Sequence, residues 1–295
     1  MKPILFTVSA LLLLCCQPAR AQTPPGADIF LADLTIKDDT PAIGTLHNLT
    51  GRPGYDNQPY FLPDGSALFY TAEVDGQTDT LLYTFSTEST TNLTDSDESE
   101  YSPTPIASGD LFSVIFAPEG IQELWAYERS TGERYPLLEP DFLIGYHAWI
   151  DSKQVLITVL TDNAMQLYVA DVTTKDATLV APSTGASLFN IPGSDNMSFN
   201  ARVDGKNWVM MLNPKTRDIQ PLVQLPDDSS YYTWTPDGKV LAASQGSLWF
   251  WDSQKPGSAL TRFADISDTC PDGASRLAVN PAQTLIAVVC HGEGM

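Results

Sequence analysis

A Pro-Asp-Gly turn between two short apolar strands recurs in this chain, at Pro63-Asp64-Gly65 and at Pro236-Asp237-Gly238. Asp-Gly suits such a turn because glycine takes positive φ without strain and aspartate bonds the neighbouring backbone. With Pro63 as a mark, equivalent positions fall at Ala107, Asp151, Pro192, Pro236 and Pro281, at intervals of 44, 44, 41, 44 and 45 residues. A short strand precedes each mark and a second follows each turn, as in residues 155–159 and 285–289. A third is legible in five of the six units (80–85, 123–127, 166–171, 208–212 and 247–252), and short fourth strands at 91–94 and 178–180. Four antiparallel strands per period of about 44 residues is the signature of a β-propeller blade. Two positions before the marks stand Phe61, Pro105, Trp149, Asn190, Trp234 and Val279, mostly large groups suited to packing between neighbouring sheets.

The sixth unit stops after its second strand, and its missing half is expected at the other end of the chain. Residues 28–34 match a third strand, and Asn48-Leu49-Thr50 repeats Asn92-Leu93-Thr94 at a spacing of 44. The expected fold is therefore an all-β, six-bladed propeller whose ring is closed by strands from both termini in one blade, covering the edges of an open array. A strand-rich stretch between 257 and 274 would add a seventh blade.

Ahead of the repeat, Lys2 precedes an apolar run of about 13 residues and then Ala19-Arg20-Ala21. This predicts a secretory signal peptide over 1–21, cut after Ala21. The run is shorter than the ~20 residues a transmembrane helix needs. Lipid anchoring through Cys15 or Cys16 is the rival reading, but the residue before either cysteine is not the usual small one. Residues 22–27 read as a short flexible lead-in and 28–295 as the propeller. Losing Lys2 and Arg20 takes the formal net charge from −20 to about −22, a field that disfavours nucleic acid and anionic membrane surfaces. Of four cysteines, Cys270 and Cys290 remain after cleavage. An even pair in an oxidising compartment predicts a disulfide. The alternative, a metal-binding or catalytic thiol pair, lacks CxxC spacing. Together these features predict a soluble monomer, exported to the periplasm or secreted, with no transmembrane segment in the mature chain.

The run Asn48-Leu49-Thr50-Gly51-Arg52-Pro53-Gly54-Tyr55-Asp56-Asn57-Gln58-Pro59, leading into Pro63-Asp64-Gly65, resembles the propeller repeats of TolB and of the amino-terminal propellers of some serine peptidases. The resemblance covers essentially the whole mature chain, strongly in units one and five and weakly in units two to four, where Pro-Asp-Gly is eroded. TolB carries a further amino-terminal α/β domain that this sequence leaves no room for, so its partner contacts do not carry over. A peptidase reading would need a G-x-S-x-G nucleophile elbow, and the sequence has none.

No catalytic constellation stands out, and neither cofactor nor metal is expected. The three histidines, His47, His147 and His291, fall on different units. The acidic run 94–100 lacks the glycine and downstream glutamate of a calcium loop. Asn48-Leu49-Thr50, Asn92-Leu93-Thr94 and Asn196-Met197-Ser198 fit the glycosylation sequon, although the repeat itself requires the first two. The loops that feed the innermost strands should gather at one rim of the ring. That rim is expected to carry Tyr55, Asp56, Glu98, Glu100, Tyr101, Tyr146, Tyr231, Tyr232 and Arg276, with His147 on an inner strand beside it. Tyrosines with carboxylates and one arginine suit a peptide, a sugar or a cation. The reading that follows is a binding or scaffold protein for a peptide, a protein or a cell-envelope component. Its alternative is a propeller hydrolase or lyase acting on a carbohydrate or lactone in the channel, through His147, Arg276 and acidic rim residues.

Overall fold

In the strand Ala67–Val74 the first six residues are all buried, because successive side chains point to opposite faces and each face meets a different neighbour. Leu68, Tyr70 and Ala72 enter one apolar core; Ala67 and Phe69 enter the next one round the ring. The same division occurs at Gln154–Leu160, where Val155, Ile157 and Val159 face one way and Leu156 the other. A strand sandwiched in this way reads as a continuous apolar run rather than an alternating one.

The computed structural model describes residues 25–106, 109–139, 141–255 and 257–292. The expected signal peptide, residues 22–24 of the lead-in and the mark at Ala107 lie outside them. The described residues form six sheets, and in five of them four strands pair in chain order. Blade 1 consists of Asp56–Phe61, Ala67–Val74, Gln77–Thr84 and Ser89–Asn92. The first strands of blades 2 to 5 are Ser99–Pro105, Ile144–Trp149, Leu188–Asn190 and Tyr232–Trp234. Within 257–274 there is one complete strand, Thr261–Asp265, which is the fourth of blade 5. Six apolar clusters fill the six seams between adjacent blades.

Blade 6 takes Ala274–Val279 and Leu285–His291 from one end of the chain and Ala27–Lys37 and Thr40–Ile43 from the other. Ala27–Lys37 pairs with Leu285–His291 in seven antiparallel steps, from Ala27 opposite His291 to Asp33 opposite Leu285. The ring is closed by both termini, as the repeat requires. The outer strand differs from expectation. Its place is divided between Thr40–Ile43, paired with residues 34–37, and the two-residue strand His47–Asn48, paired with Phe30 and Leu31, so His47 and His291, expected on different units, both belong to this blade. Asp38 and Asp39 have φ of 49° and 62°, so both central residues of the hairpin turn lie in the left-handed region, whose twist matches antiparallel strands. The third strand thus runs past the blade before the chain returns. Ala27, at the end of the expected lead-in, is fully buried and donates its N–H to the Gly54 carbonyl at 3.1 Å.

Cys270 and Cys290 form the expected disulfide, twenty residues apart in sequence and 5.1 Å apart at Cα. It lies in the core between blades 5 and 6 and ties the approach to blade 6 to its second strand. The two Asn-Leu-Thr repeats have matching architectural roles. The amides of Asn48 and Asn92 donate to buried carboxylates, Asp28 and Asp79, on the third strands they border.

Candidate functional site

The first strands of the blades line a central channel of about 540 Å³. At one end a second cavity of about 330 Å³ adjoins it, sharing Gln58, Tyr146, Tyr231 and Arg276 as walls and bordered also by Tyr55, Tyr101 and His291. We call this end the mouth. Four of the first strands break register as they reach it, at Asn57/Tyr60, Tyr101/Thr104, Ile144/Tyr146 and Ala274/Leu277. A bulge turns side chains off the regular alternation. Two bulge residues, Gln58 and Ser102, sit at φ of 58° and 55°, a conformation that costs a non-glycine residue energy. Their bonds hold it in place. Gln58 Oε1 accepts from Thr71 Oγ1 at 2.7 Å and from the Ser102 N–H at 2.6 Å, locking blade 1 to blade 2.

Arg276 is the centre of the mouth. Its guanidinium carbon lies 4.1 Å from the centroid of the Tyr231 ring and 5.7 Å from that of Tyr146. Nη1 donates to Asn57 Oδ1 at 3.2 Å, and Nη2 reaches Tyr146 Oη at 3.5 Å. Among the described residues no carboxylate lies within ion-pair distance of it. Among those same residues, neither cavity is lined by aspartate, glutamate or lysine. Burial raises the Tyr55 phenol to about 12, with the Arg276 charge opposing the shift, and burial raises Tyr146 likewise. Both therefore stay protonated and able to donate at physiological pH. Burial, reinforced by Arg276, lowers the pKa of His291 and favours its neutral form.

Of the ten side chains expected at or beside the rim, the structure brings Tyr55, Tyr101, Tyr146, Tyr231 and Arg276 together at the mouth. Asp56, one residue along from Tyr55, is fully buried and bonded to Arg52. Burial raises its carboxyl to about 6 against the pull of Arg52. Glu98 accepts from the Glu119 N–H at 3.2 Å, next to the short 3₁₀ turn Pro118–Gly120. Glu100 is fully buried and accepts from Ser96 Oγ at 2.6 Å and Tyr127 Oη at 2.8 Å. None of these three carboxylates lines the channel or the mouth. Asp56 and Glu100 are held inside by Arg52, Ser96 and Tyr127, and Glu98 stands in the loop ahead of Ser99–Pro105, against the Glu119 N–H.

His147 and Tyr232 border the channel but share a seam role. Tyr232 Oη and Trp234 Nε1 both donate to Ser198 Oγ of the preceding blade, each at 2.8 Å. Two blades earlier His147 Nε2 meets Ser113 Oγ at 2.7 Å, and Trp149 Nε1 donates to the same oxygen at 2.9 Å. Ser113 Oγ also lies 3.2 Å from the Thr104 carbonyl. Burial lowers the His147 pKa to about 3, so the ring is neutral. Asn57, Gln58 and His291 were missed as mouth residues. Asn57 and Gln58 adjoin Tyr55 in the Gly-Tyr-Asp-x-x-Pro run, and that adjacency was the one signal available.

These elements define a six-bladed β-propeller with a tyrosine-rimmed channel. No family model and no curated protein sequence matches the chain. Among solved structures it is similar to a protein described as TolB from Agrobacterium tumefaciens (TM-score 0.67, 14% identity, covering 90% of this chain and 99% of that one). It is also similar to a chain of a nidogen/laminin complex (TM-score 0.63, 11% identity, 91% and 100% covered). An oligogalacturonate lyase in complex with manganese shares the fold too (TM-score 0.56, 14% identity, 84% and 80% covered). The chain is a TolB-like β-propeller in fold.

Proposed function

We propose that the protein is an exported binding propeller that holds a peptide or protein partner, such as a cell-envelope component, at the channel mouth. The observation that carries this reading is Arg276, a cation seated against tyrosine rings with no acidic partner among the described residues. Aromatic residues and arginine are the types that dominate binding hot spots. The Cys270–Cys290 disulfide supports export, since such bonds persist in oxidising compartments. A photo-crosslinking amino acid at Tyr101 tests the reading in envelope extract, with Thr131, an exposed turn residue of blade 2, as control position. A discrete adduct from Tyr101, absent from Thr131 and lost with Arg276→Ala, is expected. Equal labelling from both positions, or none from Tyr101, would refute it.

The second reading, a hydrolase or lyase acting on a carbohydrate or lactone, draws on the fold shared with oligogalacturonate lyase. Turnover of a screened sugar that disappears in folded His147→Ala/Arg276→Ala protein would favour it.

A further inference from the structure

The channel beneath Arg276 differs in chemistry from the mouth above it. Its wall includes Pro59, Pro103, Trp149, Phe189 and Val279, and Tyr60 stands inside it with 39% of its surface open to water. Protein surrounds that phenol closely enough to raise its pKa by desolvation. A volume of about 540 Å³ falls within the range of small-ligand pockets, which are lined by apolar and aromatic groups with a few polar ones for orientation. Arg276 borders both the channel and the mouth, so the cation sits at their junction.

One fixed guanidinium with free N–H donors matches a planar carboxylate in two parallel bonds. The protonated phenols of Tyr55 and Tyr146 are available as further donors to an anion. A phosphate dianion would find one cation inside a chain of net charge −20, and a polyacidic segment would be repelled by the same field. A single negative charge joined to an apolar body is the ligand that these walls fit.

We infer that the channel takes a monocarboxylate head-on, with Arg276 receiving the carboxylate and the proline- and aromatic-lined wall receiving the apolar body behind it. This rests on the mouth being a binding site, and it names the chemistry recognised there. A free protein C-terminus ending in an apolar residue and a fatty acid share that chemistry.

Titration calorimetry of the whole protein with four probes decides the matter: N-acetyl-Gly-Gly-Phe as free acid and as C-terminal amide, then octanoate and octanamide. At least one acid is expected to bind ten-fold or more tightly than its amide. Arg276→Met, which keeps chain length and removes charge, should bring that acid down to the level of the amide. Arg276→Lys, which restores a point charge, should recover part of the difference. Preference for the peptide acid identifies a protein C-terminus as the source, and preference for octanoate a fatty acid; both support the inference. Equal binding of acid and amide, or no binding of any probe, overturns it. The acid–amide comparison needs no variant, so a misfolded mutant does not rescue the idea. Absence of probe binding alongside mouth-specific crosslinks would sink the carboxylate inference and leave the binding reading standing.

Discussion

Glu100 shows what a single buried carboxyl does in this fold. Its Oε2 and Asp79 Oδ1 are both buried without a donor, and the two side chains lie within hydrogen-bonding reach of each other. A proton held by Glu100 and donated to Asp79 satisfies both oxygens. Burial, with the Asp79 charge adding to it, raises Glu100 to about 7, against bonds from Ser96 and Tyr127; Arg134 stands 3.8 Å away. The unfolded chain releases this proton near 4.5 and the folded chain near 7. Between those values the folded state binds more protons, so the site's contribution to stability falls as pH rises through the window and is level above it. Glu100→Gln should therefore leave stability unchanged near pH 4 and raise it at pH 8, by roughly 1–3 kcal/mol. Urea denaturation at the two pH values measures it, and an equal effect at both would contradict the shared proton. Asp56, raised to about 6, slopes in the same direction at lower pH.

Between elements, the seams use one device twice. Ser113 and Ser198 sit at equivalent positions on second strands, and each accepts from a tryptophan 36 residues ahead and is hydrogen-bonded to the group two residues before that tryptophan. Ser198→Ala would strand the Tyr232 hydroxyl and the Trp234 indole N–H, both buried. Each unsatisfied donor costs about 1–3 kcal/mol, so a loss of roughly 2–4 kcal/mol is expected in denaturant titration. A loss below 0.5 kcal/mol, the range of an ordinary surface change, would mean the seam does not depend on the serine. The tryptophans were legible as inter-blade packing from their place before the marks. The serines were not, because an acceptor on the preceding blade becomes a neighbour only when the ring is built. The bulges at Gln58 and Ser102 were equally silent: nothing in the residue types announces positive φ there, and the bonds that hold it come from Thr71 and across the blade boundary.

For the whole molecule, closure is the decisive step. Removing residues 25–50 would uncover the edge of Leu285–His291 and take Ile29, Phe30 and Leu34 out of the cores they fill, exposing the side chains packed against them. At about 1.5–3 kcal/mol for each large apolar side chain, the loss is comparable with the total stability of a domain. The truncated chain should lose its near-UV circular dichroism and aggregate, and the missing segment supplied as a separate chain should restore the signal; a truncated protein that stays folded and monomeric would contradict ring closure as the source of stability. The sequence by itself determined the repeat, the blade count, the terminal closure and the cysteine pairing, because all of these follow from local strand and turn chemistry counted at a constant period. Only the tertiary structure decided which side chains meet. Alternation along a strand divides neighbouring residues between two seams, and bulges shift that alternation where the strands reach the mouth. Local hydrogen-bond partners hold Asp56, Glu98 and Glu100 away from the rim, while Tyr55, Tyr101, Tyr146 and Tyr231, from four different blades, gather with Arg276 at the mouth.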